Sequence, residues 1–145
     1  MYLVDTNVIS AAAPSRPVSP ALVQWMDAHS TSFFMSAVTV AKIEDGIAKL
    51  WREGATRKSA DLTAWLDTVL HLYGDRIVAF DAATARIAGA MSDRARGLGH
   101  APGLADIIIA ATAKHRGLTI LSRNLRHFEP LDVAVVDPFA KLPPD

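Results

Sequence analysis

Apolar residues along this chain fall into two kinds of block. Short runs rich in β-formers predict strands over residues 2–4, 32–35, 76–80, 118–121 and 133–136. Between them, apolar residues recur at helical spacing: Leu22, Trp25 and Met26 in residues 20–29, Val40, Ile43, Ile47 and Leu50 in 36–52, and Leu62, Trp65, Leu66, Val69, Leu70 and Tyr73 around 63–73. Two more helices are predicted over 82–98 and 104–116, and a short turn over 125–128. Ser36 and Asp81 suit helix N-caps, Pro102 the first turn of the 104–116 helix, and Gly54, Gly74, Gly99 and Gly117 follow helix ends. Residues 11–19 read as a Pro- and Ser-containing loop. Strands alternating with helices predict an α/β fold, a parallel sheet with helices on both faces, in a single domain over 1–145 with a proline-marked tail from about residue 138.

Composition narrows the chemistry. The chain has 145 residues, half of them apolar, enough to bury one core. Its 15 Lys and Arg balance 15 Asp and Glu, so nucleic-acid binding would have to come from a local patch. With no cysteine, zinc–thiolate sites, disulfides and cysteine nucleophiles are excluded. No apolar run approaches the ~20 residues that cross a bilayer, so a cytoplasmic protein without membrane contact is expected.

Four polar residues stand where such a sheet binds ligands, at or near the carboxyl ends of strands. Asp5 follows the first strand, and taken alone it reads as a helix cap. Asp106 interrupts the apolar segment Leu104-Ala105-Asp106-Ile107-Ile108-Ile109. An acid in a helix's first turn is favoured by the macrodipole, but a buried carboxylate needs a cation or several donors. Ser122 and Asn124 leave the end of the 118–121 strand. Two carboxylates, an amide and a hydroxyl form a hard oxygen set suited to Mg²⁺ or Mn²⁺, which activate water and neutralise charge on a phosphodiester. Among the basic residues, Arg123 is the first candidate to contact a phosphate backbone, and the five histidines are assigned to structure or surface because none has zinc-site spacing.

Val4-Asp5-Thr6-Asn7, the Ser36–Gly46 helix opening, Phe80-Asp81, Ala105-Asp106 with Ile109-Ala110-Ala111-Thr112-Ala113, and Ser122-Arg123-Asn124 with His127-Phe128 together resemble the PIN-domain ribonucleases, specifically VapC-type toxins. The resemblance covers nearly the whole chain. It implies a compact α/β/α fold, Mg²⁺-dependent RNA cleavage, a homodimer, inhibition by a VapB-like antitoxin, and operator DNA bound only through that antitoxin. It matches Asp5 and Asp106 to the metal-binding aspartates and Asn124 to a polar position, often Asp or Asn.

One position departs. The family usually carries Glu where this chain has Lys42, and Glu44 lies about 200° further round the helix. The expectation is that Lys42 points between Asp5 and Asp106, replaces the metal's charge and lowers cleavage, with Glu44 not compensating. Two alternatives accompany this reading: a catalytically silent binding partner, and another α/β phosphate enzyme or receiver domain. A phosphatase of the haloacid dehalogenase type wants an acid where Asn7 stands, and a receiver wants an Asp where Met35-Ser36 offers none. The tryptophans, with Leu62, Leu66 and Tyr73, are expected to supply surface for a second protein.

Overall fold

The computed structural model describes residues 1–14 and 19–145. Its sheet has five parallel strands, β1 (Tyr2–Val4), β2 (Phe33–Ser36), β3 (Ile77–Val78), β4 (Thr119–Leu121) and β5 (Val135–Val136), in the order β3-β2-β1-β4-β5. The helices are α1 (Thr6–Ile9), α2 (Pro20–Ala28), α3 (Ala37–Arg52), α4 (Thr56–Tyr73), α5 (Ala82–Gly97), α6 (Leu104–Arg116) and α7 (Leu125–Phe128).

Side chains on a strand alternate between faces, so adjacent residues of β1 and β4 enter different cores. Val4 and Leu121 pack with Leu22 and Trp25 of α2, Ile43 and Ile47 of α3, and Leu66 and Val69 of α4. Leu3 and Ile120 pack on the opposite face with Met91 and Ala95 of α5, Ile109 and Ala110 of α6, and Phe128 of α7. All four strand residues are fully buried, as expected for central strands covered on both sides. From β1 the chain builds β2 and β3 on one side, then crosses to build β4 and β5 on the other. The gap between β1 and β4 at their carboxyl ends is therefore the topological switch point, where such sheets bind ligands.

The caps follow the sequence reading: Ser36 Oγ accepts from Val38 N, and the Asp81 carboxylate accepts from Thr84 N. The Thr84 hydrogen bonds hold the Asp81 carboxyl below its usual value. Several details differ, and the strand expected over 76–80 narrows to Ile77–Val78. Helix α4 begins at Thr56, seven residues before the predicted start at 63, because its first turns are polar; they are held by Ser59, fully buried, whose hydroxyl donates to the Ala55 and Thr56 carbonyls. Pro102 lies outside α6, whose N-cap is Gly103. The last strand is limited to Val135–Val136. The predicted loop 11–19 includes a 3₁₀ turn, Ser10–Ala12, and residues 15–18 fall outside those described.

The segment expected to be a tail is packed. Phe139 and Leu142 lie against the first core, and Pro143 is buried. The aromatic surface is smaller than expected: Trp25 and Leu66 are core residues, and of the three tryptophans Trp51 alone is exposed. No helix among the described residues is long and apolar enough to cross a membrane.

Ile109 is fully buried on α6, the helix that carries Asp106. Ile109→Val removes one buried methylene and should lower stability by about 1 kcal/mol. Urea denaturation reads this directly, and an unchanged midpoint would mean that the α6 contact contributes little.

Candidate functional site

The site begins with strand register. Val4 pairs with Leu121 across β1 and β4, so the next residue of each strand, Asp5 and Ser122, emerges side by side at the carboxyl edge. The Asp5 N–H donates to the Leu121 carbonyl at 2.9 Å, extending the ladder by one bond. Both side chains are buried, Asp5 at 2% exposure and Ser122 at 0%.

A buried carboxylate needs donors. Asp5 Oδ1 accepts from Thr6 N at 2.7 Å, while Oδ2 accepts from Ser122 Oγ at 2.7 Å and from Asn7 Nδ2 at 3.4 Å. The cap and site readings of Asp5 thus coexist, since Asp5 also caps α1. Ser122 Oγ in turn accepts from Asn7 Nδ2 at 3.3 Å and Asn124 N at 3.0 Å, filling its hydrogen-bonding capacity. Asn7 Oδ1 accepts from Arg123 N at 3.1 Å. Asn7, which sequence reasoning used in a motif but gave no role, ties both strand exits together.

Asp106 lies in the first turn of α6, and Ile107 through Ala113 behind it are all buried. Its carboxylate is 18% exposed and pairs with His127, Nδ1 to Oδ2 at 3.1 Å. His127 is carried on α7, which starts immediately after Asn124. The segment from Ser122 to His127 therefore holds one carboxylate at each end. From sequence, the counter-charges expected for Asp106 are a metal ion or Lys42, and His127 falls among structural or surface groups. The available signal was its neighbour Phe128, a fully buried anchor that fixes α7 and so brings His127 to α6.

The remaining candidates are placed differently. The exposed Asn124 contributes its backbone N–H, and among the described residues its amide bonds neither carboxylate. Arg123 is exposed, with its guanidinium 3.8 Å over the Phe139 ring, a cation–π contact that fixes it beside the crevice. Lys42 does not lie between Asp5 and Asp106. It is exposed, and among the described residues it forms no ion pair with either. The buried face of α3 is Thr39, Ile43 and Ile47; Lys42 sits about 100° from Ile43, and its long stem reaches solvent. Glu44 is exposed as well.

Among the described residues no three His, Cys, Asp or Glu side chains gather as a metal cluster. The donor chemistry still suits a hard dication, which takes one or two carboxylates and keeps several waters. Next to Asp5, the buried Thr6 hydroxyl has no hydrogen-bond partner among the described residues, an orphaned oxygen that a polar guest could satisfy.

The PIN domain family model matches residues 2–133. The chain belongs to the PIN-domain family. It is 34% identical to Toxin FitB of Neisseria gonorrhoeae over 96% of this chain and 99% of that protein. It is 29% identical to VapC ribonuclease Y4jK of Sinorhizobium fredii, over 96% of this chain and 98% of the relative. Among solved structures, FitAB bound to an IR36 DNA fragment contains a chain that is 33% identical, with a TM-score of 0.78 and 96% of each chain covered. The PIN fold and the α/β parallel sheet expected from sequence are thereby established.

Removing the Ser122 hydroxyl would strip Asp5 of its shorter side-chain donor inside a buried pocket. Ser122→Ala should cost about 1–3 kcal/mol. Equal stability of the variant and the parent in urea would show that Asp5 does not depend on Ser122.

Proposed function

We propose that this chain is a metal-dependent endoribonuclease toxin of a type II toxin–antitoxin module. The observation that carries the reading is Asp5: a buried carboxylate at the switch point, held by three donors with no cationic partner among the described residues, and joined through Ser122–His127 to a second carboxylate, Asp106. Family membership and the likeness to a FitB toxin and a VapC ribonuclease support it.

In this reading Asp5 and Asp106 would hold the ion, Mg²⁺ or Mn²⁺. When bound, such an ion activates water and neutralises charge developing on a phosphodiester. Ser122 and Asn7 keep the Asp5 carboxylate in one orientation, and His127 does the same for Asp106. Asn124, with its exposed amide, would orient phosphate or water. Arg123, braced on Phe139, would contact the RNA backbone, where cations supply most non-specific affinity. Such an enzyme works in the cytoplasm, as a homodimer held inactive by a VapB-like antitoxin, with operator DNA reached only through that partner. The likeness to the FitAB complex on DNA supports this arrangement.

The second reading, a catalytically silent PIN-fold partner of an antitoxin, draws on Lys42. It removes the acid that the family usually places on this helix, and no three-group cluster forms among the described residues. Because Lys42 is exposed and unpaired with the aspartates, its effect would come from the missing carboxylate ligand rather than from an ammonium occupying the crevice.

Cleavage of single-stranded RNA with Mg²⁺ or Mn²⁺, against a chelator control, separates the two readings. The parent should cut slowly, Lys42→Glu at least about tenfold faster, equivalent to ~1.4 kcal/mol of barrier, and Asp5→Asn not at all. If neither the parent nor the revertant cuts any RNA, the silent reading stands and the nuclease reading is wrong.

A further inference from the structure

A hollow of about 270 Å³ opens beside Asp106, between the connector from α5 to α6 and the end of α7. His100 and Pro102 line it from the connector, Asp106 from α6, and Arg126, His127 and Pro130 from α7 and the turn after it. Both walls are anchored. Gly99, at φ +84°, reverses the chain after α5, and the His100 N–H donates to the Ala95 carbonyl at 2.9 Å. Opposite, the buried Phe128 and Leu131 hold the turn that carries Pro130. The hollow is therefore preformed.

Its unused polar groups are donors. The Asp106 carboxylate is already paired with His127 at 3.1 Å. Arg126 and His100 are exposed, and among the described residues the guanidinium has no ion-pair partner and the His100 ring no hydrogen-bond partner. At the lower edge of the ~300–1,000 Å³ usual for small-molecule sites, the hollow has room for one nucleotide rather than a folded element. Its apolar lining is confined to small or ring-closed residues, Pro102 and Pro130 among them, with no long aliphatic side chain on which a peptide anchor would pack. Rigid proline faces suit a planar base. A guanidinium donates through a flat fork to base edges and stacks on their faces, and an imidazole ring does both on a smaller scale.

We infer that this hollow seats the nucleotide next to the scissile phosphate, its base against Pro102 and Pro130, and that Arg126 and His100 read that base. The inference rests on the ribonuclease reading and adds to it a determinant of which RNA is held. Arg123 rests on Phe139, outside the hollow, so the two arginines of this segment serve different stretches of the strand that passes the carboxylates.

Fluorescence anisotropy of the full chain with short labelled single-stranded homopolymers of A, C, G and U, in chelator so that no cleavage intervenes, tests this. The parent should prefer one base. Arg126→Gln should weaken binding of the preferred RNA at least about tenfold and bring the four affinities together, and His100→Ala should narrow the preference by less. Arg126→Lys keeps the charge without the planar fork, so it should recover part of the affinity and none of the preference. Arg116→Gln, the same charge change at the far end of α6, should bind as the parent does, and circular dichroism checks that each variant folds. Equal losses in Arg126→Gln and Arg116→Gln, or full preference in Arg126→Lys, would reduce the contact to general charge attraction and overturn the inference while leaving the ribonuclease reading intact. Parental binding by Arg126→Gln and His100→Ala, or equal binding of all four RNAs by the parent, would do the same. Weakened antitoxin binding with parental RNA binding would assign the hollow to a protein partner and overturn it too. A parent that binds none of the RNAs would remove the ribonuclease reading and this inference together.

Discussion

The hydrogen bond from Ser122 to Asp5 is the contact on which the site depends, and it follows from sheet register. With Val4 opposite Leu121, the two strands end in step, and the first residue beyond each has nowhere to go but the edge. Both side chains are then buried beneath the loops that leave the sheet. A one-residue slip would send Leu3, Val4, Ile120 and Leu121 to the wrong faces, so both cores enforce the register. The positions of the polar edge groups are thus fixed by apolar packing a few ångströms below them.

The same segment extends that control to the second carboxylate. Ser122 and Asn124 N bind to one another as the chain leaves β4, and Phe128 then drops into the core, which leaves His127 against Asp106. Helix α6 is buried from Ile107 to Ala113, directly behind Asp106, so Asp106 has little freedom of its own. Two acids from distant parts of the chain, 101 positions apart in number, are therefore held by one short stretch of six residues. Such bracing is what a site must have if its carboxylates are to stay in place without cations at both.

Much of this was legible in the sequence because periodicity and caps report packing. The strand–helix alternation, the Ser36 and Asp81 caps, the left-handed Gly117 after α6 and the paired exits at Asp5 and Ser122 all correspond to what the structure contains. The early turns of α4 were not legible, since Thr56 to Asp61 present few apolar residues and Ser59 is buried through its own backbone-directed hydrogen bonds. Nor was the His127–Asp106 pair, because it depends on where Phe128 anchors α7, a tertiary effect without local periodicity. Lys42 misled for a related reason: its helical angle relative to Ile43 places it on the rim of the α3–α4 groove, and a long side chain there reaches solvent more cheaply than it would enter a crevice of carboxylates.

The central claim is that Asp5 and Asp106, braced from the two ends of Ser122–His127, act on one ion. Calorimetric Mn²⁺ titration of the parent, Asp5→Asn, Asp106→Asn and the double variant tests it most directly, because binding is read without any need for turnover. One shared site predicts that each single substitution removes the same binding event and that the double variant loses nothing more. Retention of parental affinity in either single variant, or separate and additive losses, would contradict it.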